Sequence, residues 1–260
     1  MRQIGDGPHV RGKQLEELVG EAFGWGIFAG SSLLLGRLLA LRFRISELLL
    51  GLVMAFGAGV LISAVAYELV GEAFDTSAGS GGVALGLFAG ALTFFVGDTL
   101  IDRMGGGDRK RSGGQQAAGS ALAIVLGTVL DGIPETAVIG LSLESGGVSA
   151  AVIAAVFLSN LPEAIAATTG LVAARWPRRR ILGLWVLVMA VSGVSALAGY
   201  GLLTDASPRT VAFVLAFAGG ALLTMLADTM MPEAFEKGGR LVGLATTLGF
   251  ALAFGISSLE

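Results

Sequence analysis

The sequence predicts an all-α membrane protein with eight transmembrane helices, in which helices 1-3 and 6-8 form an inverted repeat around a central helix 4/5 pair. Three observations predict it. The 260-residue chain is 54% hydrophobic and only 14% charged, whereas about 25% of a soluble domain is charged, and its mean hydropathy is +0.79. Its Lys and Arg residues gather at alternate connections between apolar runs. One of those runs also returns in similar form near the other end of the chain.

Apolar runs of about 18 residues or more read as spanning helices. They fall at about 22-41, 47-70, 83-101, 120-143, 148-174, 181-203, 210-232 and 241-258. Long runs rich in Ala, Leu, Gly and Val indicate helices, because barrel strands would show short alternating segments. Residues 1-21 form a polar N-terminal segment and 22-260 a single transmembrane domain. No cleavable signal peptide is expected: residues 1-17 are polar and the first apolar run is long enough to span.

Orientation follows from the basic residues. Arg37, Arg42 and Arg44 flank the first connection, Arg103, Arg109, Lys110 and Arg111 the third, Arg175, Arg178, Arg179 and Arg180 the fifth, and Lys237 and Arg240 the seventh. The second and fourth connections carry none, and the sixth has Arg209 alone. Odd connections are therefore expected in the cytoplasm, including the Gly-rich basic loop at about 102-119, and both termini outside it. A cell membrane, plasma or bacterial inner, is the expected location.

The returning run is AFGAGVLISAVAYELVGEAF (55-74) against AFAGGALLTMLADTMMPEAF (216-235), with eight identities in twenty gapless positions. In the charge-derived topology the first copy runs outward and the second inward, which makes the repeat inverted. Between the copies lie two further matched stretches, LDGIPET (130-136) and LSNLPEA (158-164). Inverted repeats with interrupted helices at midplane depth characterise secondary transporters.

Each of those stretches sets a proline and a glutamate inside an apolar run. Proline lacks an amide hydrogen and clashes with the carbonyl four residues back, so Pro134 and Pro162 are expected to free the carbonyls of Leu130 and Leu158. Asp131 and Glu135 are four apart, as are Ser159 and Glu163, so each pair shares one helical face. Asp131, Glu135, Ser159, Asn160 and Glu163 thus make a candidate cluster of oxygen donors for a metal ion. An uncompensated Asp at membrane depth costs about 2.5 to 3.5 kcal/mol on the insertion scale, so the acids need a cation, a proton or hydrogen-bond partners. Glu68, Asp98 and Asp228 are weaker candidates for a conducting path, and Trp25, Trp176 and Trp185 read as interface or packing residues.

Several chemistries are excluded. With no cysteine there is no disulfide or thiolate site. The single histidine, His9, lies in the polar N-terminal segment, so a Ser/His/Asp set within the membrane cannot form, and no phosphate-cradling Gly loop followed by Lys-Ser or Lys-Thr is present. Asp131 has no evident mate for a di-aspartyl protease. An enzyme is not expected.

The eight-span plan, the paired x-Pro-Glu motifs of spans 4 and 5, and ADTMMPEA in span 7 resemble the ZIP (Zrt/Irt-like) family of divalent metal transporters over residues 22-258. Members carry His-Asn-x-Pro-Glu on helix 4 and a second x-Pro-Glu motif on helix 5, which together bind zinc, iron or manganese. The resemblance implies a metal site at Asp131, Glu135, Ser159, Asn160 and Glu163, transport into the cytoplasm, and no permanently bound cofactor beyond the transported divalent cation. The expected partners are that ion and the lipid bilayer, with no nucleic acid and with a homodimer as an open possibility. This chain departs from the family where Asp131 stands for the usual His and Gly132 for the usual Asn. The surviving oxygen donors suit harder ions such as Mn²⁺ better than zinc.

Two other readings compete. SNLPEAIAAT also resembles the repeats of cation/calcium exchangers, but eight spans and a motif pair adjacent in sequence differ from their plan. The absence of the family's histidines also fits a ZIP-like membrane sensor or partner subunit that does not transport.

Overall fold

The computed structural model describes residues 8-43, 45-77, 81-106, 121-144, 150-203 and 206-258. The basic loop from 107 to 120, the whole 145-149 connection and the first seven residues lie outside the described residues. Those described are helical, with no strand among them. In chain order the helices are α1 (Pro8–Arg42), α2 (Glu47–Ser77), α3 (Gly82–Met104), α4 (Ala121–Glu144), α5 (Ala150–Ala173), α6 (Arg178–Leu203), α7 (Pro208–Gly238) and α8 (Leu241–Ser257).

The chain is an all-α, membrane-embedded protein. Its first seven helices contain stretches long and apolar enough to cross a membrane. Helix α8 is apolar but has 17 residues, a rise of about 26 Å against a hydrocarbon core of about 30 Å. Large apolar side chains stand outward on α3 (Leu85, Phe88, Leu92) and α8 (Leu244, Leu248), as a lipid-facing surface requires. The interior is built from Met54, Leu61, Leu215, Leu222, Met225 and their neighbours.

Helix ends follow local chemistry. Ser46 caps α2 by accepting a hydrogen bond from the Leu49 amide, and Ser207 caps α7 by accepting one from Thr210, with Pro208 at the first helical position. Three elements outrun their apolar stretches. Helix α1 starts at Pro8 rather than near 22, because Gln14 to Leu18 are good helix formers and no proline intervenes. Helices α2 and α7 continue through Glu72 and Glu233 to Ser77 and Gly238.

Packing is pairwise. Helix α3 lies on α7 and α8 on α2, while α4 lies on α6 and α5 on α1; α1 also packs on α6, and α2 on α5 and α7. Glycine makes the closest approaches possible. A Cβ on Gly90 would overlap the Phe217 carbonyl, and one on Gly249 would overlap the Phe56 carbonyl. Such backbone contact lets small residues replace the hydrophobic driving force that lipid abolishes.

Three helices change pitch among the described residues. Hydrogen bonding widens to the i→i+5 pattern over Val65–Gly71 in α2, Asp102–Gly106 at the end of α3 and Leu226–Met230 in α7. In α7 the cause is at hand, since Pro232 lacks the N–H that the Asp228 carbonyl would accept in a regular helix. Wide turns of this kind concentrate at functional sites.

Candidate functional site

The two Pro-Glu motifs meet in the structure. Helix α4 carries Asp131 and Glu135 and helix α5 carries Ser159, Asn160 and Glu163, and the helices are in contact. Ser159 Oγ donates a 2.9 Å hydrogen bond to Glu135 Oε2 and also lies 3.0 Å from the Val156 carbonyl. Glu135 and Ser159 have no exposed surface, and Asp131 and Asn160 are buried. Glu163 is partly buried.

Helices α4 and α5 run unbroken through Pro134 and Pro162, whose missing N–H groups leave the Leu130 and Leu158 carbonyls without their regular helical donor. Gly57 of α2 sets its backbone against Leu158 and Ser159, where a Cβ would stand 3.3 Å from the Leu158 carbonyl oxygen. Thr136 satisfies the Gly132 carbonyl through a 2.7 Å hydrogen bond from its hydroxyl, a back-bond that often bends a helix.

Two polar atoms at the contact stand out. Glu135 Oε1 and Asn160 Nδ2 are buried with no hydrogen-bond partner among the described residues. A buried carboxylate oxygen without a donor is costly, and a cation is one species that would relieve it. Among the described residues, however, no three Asp, Glu, His or Cys side chains are grouped so as to hold one metal ion. In this conformation the direct link is Glu135 with Ser159, and an ion ligated by three carboxylates would require Asp131 and Glu163 to close on Glu135.

The weaker candidates sit apart. Glu68 lies on the wide turn of α2 and accepts a 2.6 Å hydrogen bond from Ser257 Oγ of α8. Asp98 is buried in α3, and Asp228 is exposed on the wide turn of α7. Trp185 is wholly buried and donates through Nε1 to Thr168 at 2.9 Å, while Trp176 lies 5.0 Å from the Arg180 guanidinium and Trp25 stands edge-on to Phe28. These are packing contacts.

Sequence reasoning passed over Glu233. It is buried near the end of α7, where Lys237 donates a 2.7 Å hydrogen bond to its Oε1. The available signal was MPEAF, a third Pro-Glu pair after those of spans 4 and 5. An apolar cavity of about 300 Å³ also borders Pro134, lined by Leu130, Ile133, Phe217 and Ala221 among others. It has no charged lining residue and so does not suit a cation.

No family model matches this chain, and no curated protein matches it.

Proposed function

We propose that the protein is a secondary transporter or facilitator that moves divalent metal cations of the zinc, manganese and iron class across a cell membrane, into the cytoplasm. The contact between Glu135 and Ser159 carries this reading. It joins two buried Pro-Glu motifs from neighbouring helices and leaves a carboxylate oxygen without a donor. Asp131, Glu135, Ser159, Asn160 and Glu163 would supply oxygen donors to a hard cation, whose charge offsets that of carboxylates otherwise expensive at membrane depth. The direction, the cell-membrane location, the extracytoplasmic termini and the assignment to the ZIP family rest on the loop charges and on the resemblance of motifs.

The same proposal includes eight spans related by an inverted repeat. Helix boundaries support it: the end of α1 at Arg42, the cap at Ser46 and the end of α2 at Ser77 recur at one constant spacing as Leu203, Ser207 and Gly238. The wide turns of α2 and α7 fall at matching places in the aligned copies, with Gly71 standing where Pro232 stands. Exchanging α1 with α6, α2 with α7, α3 with α8 and α4 with α5 turns the α3–α7 contact into α8–α2, and α4–α6 into α5–α1.

The second reading, a sensor or partner subunit that does not transport, gains from the lack of a ready three-ligand group among the described residues. Uptake of Mn²⁺, Zn²⁺, Fe²⁺, Co²⁺, Mg²⁺ and Ca²⁺ into proteoliposomes separates the two. Saturable uptake of at least one ion, lost in Glu135→Gln, supports transport, and uptake of none in a well-folded parent favours the second reading.

A further inference from the structure

The apolar cavity of about 300 Å³ beside Pro134 lies at one of two sequence-matched joints that differ in packing. In the aligned copies Ala218 of α7 stands where Gly57 stands in α2, and in the paired motifs Leu130 of α4 stands where Leu158 stands in α5. Gly57 lets α2 rest its backbone on Leu158 and Ser159. At the related place Ala218 and Leu130 border the cavity instead, and α4 touches α7 far more sparsely than α5 touches α2.

Backbone contacts draw the surrounding helices into two pairs. A Cβ on Gly199 would overlap the Ala137 carbonyl, which sets α6 on α4, just as Gly90 sets α3 on the Phe217 carbonyl of α7. The lining side chains between the pairs are short, with Ala137, Ser195 and Ala198 on one side and Ala218 and Ala221 on the other, and they leave the space open. Thr93 and Pro134 stand near the middle of α3 and α4, so the space lies at the depth of the hydrocarbon core. Its rim is exposed: Leu202 by 60% and Ile133 by 43%, with Thr93 and Ala198 exposed as well. Thr93 follows Leu92, so the opening is continuous with the lipid-facing surface of α3 that carries Leu85 and Phe88.

We propose that this cavity is a binding site for an acyl chain of a bilayer phospholipid, which enters past Leu202 and Ile133 and lies against Pro134. The inference stands on the membrane embedding of the chain and does not rest on the cation-transport reading. Three considerations favour a lipid tail. An unfilled void forfeits the dispersion contacts of its walls, an apolar cavity stays dry, and the medium at this opening is hydrocarbon rather than water. The volume of about 300 Å³ falls at the lower end of the range for ligand pockets, about 300 to 1,000 Å³, and gives room for a segment of one tail. A seated tail does at this joint what the Gly57 contact does at the other, and it supports α4 one residue before Glu135.

The test places the purified full-length protein in liposomes of palmitoyl-oleoyl phosphatidylcholine that contain a small share of phosphatidylcholine with a photoactivatable diazirine on its acyl chain. After irradiation, peptide mass spectrometry should find lipid adducts on the cavity residues Leu130 and Phe217 as well as on the outward Leu85 and Phe88. Ala221→Leu, which extends a side chain into the space, should cut the cavity adducts at least fivefold relative to the outward ones. Adducts on the outward residues alone, or cavity adducts as abundant in the variant as in the parent, overturn the proposal. Should Ala221→Leu not fold, Ala137→Leu takes its place, and failure of both to fold shows that the folded protein has no such space to fill and overturns it too. A Leu202→Cys variant of this cysteine-free chain that oxidises to a linked dimer in the same liposomes, while the cavity residues stay unlabelled, would give the space to a second copy instead of a lipid.

Discussion

Ser159 of α5 gives its hydroxyl proton to Glu135 of α4 across 2.9 Å, in a place that exposes neither residue. A hydrogen bond to a charged group contributes about 1.5 to 3 kcal/mol, and leaving the acceptor bare costs a similar amount. Ser159→Ala should therefore lower the thermal stability of the purified protein by several degrees. Added Mn²⁺ should recover part of that loss, because a cation can occupy the oxygen that the hydroxyl abandons. Melting curves with and without Mn²⁺ check this, and a variant as stable as the parent would show that the bond does not hold the motifs together.

Glu135→Gln and Glu163→Gln should each abolish metal uptake while leaving expression near parental levels, since the amide preserves volume and removes charge. The two need not be equal in stability. Glu135 is wholly enclosed, whereas Glu163 is partly exposed, so the Glu163 variant should tolerate the change better. Wild-type uptake in both would move the site elsewhere.

Much of the fold was legible because the membrane imposes strong regularity: long apolar runs must be helices, and basic loops alternate. What escaped were effects of packing. Helices α4 and α5 continue through Pro134 and Pro162, and Gly57 of α2 lies against Leu158 and Ser159, a contact that no local pattern reveals. The five candidate site residues could be read from their spacing, and the structure puts Glu135 and Ser159 in contact. Glu233 was hidden because its Pro-Glu lies at the end of the repeat, where it looks like part of an ancestral match.

Orientation is testable in a chain without cysteines. Ser77 would be a poor reporter because it is buried with its hydroxyl on the Phe74 carbonyl, but Asp75 and Arg179 are exposed. Cysteine at 75 should react with an impermeant maleimide in intact cells, and cysteine at 179 only after permeabilisation. The reverse pattern would invert the assigned topology.

Close backbone approach predicts which glycines are indispensable. Gly90→Ala and Gly249→Ala should each sharply reduce the yield of folded protein, because the added methyl would collide with a carbonyl rather than a movable side chain. Gly183→Ala, where nothing lies within 4 Å of the new Cβ, should be harmless or slightly stabilising, since alanine is the better helix former by about 1 kcal/mol. Monodispersity on size-exclusion chromatography after mild heating distinguishes them. Equal behaviour of all three would contradict the α3–α7 and α2–α8 contacts.

Selectivity is the sharpest test of the site itself. Asp131 offers an anionic oxygen where an imidazole would favour zinc, and Gly132 offers no ligand at all. A Cβ at Gly132 meets nothing within 4 Å although the residue is buried, so a side chain there begins in open space beside Asp131. The double change Asp131→His and Gly132→Asn should therefore fold, and it should shift competition toward zinc and cadmium by replacing one hard donor with a borderline nitrogen and adding an amide. The measurement is zinc inhibition of manganese uptake in matched proteoliposomes, where the inhibitory zinc concentration should fall at least tenfold, or about 1.4 kcal/mol of relative affinity. Gly132→Asn alone should change it less, since an amide oxygen is still a hard donor. An unchanged zinc-to-manganese preference in a folded double variant would mean that residues 131 and 132 do not set the choice of metal, and would shift the search to Glu163.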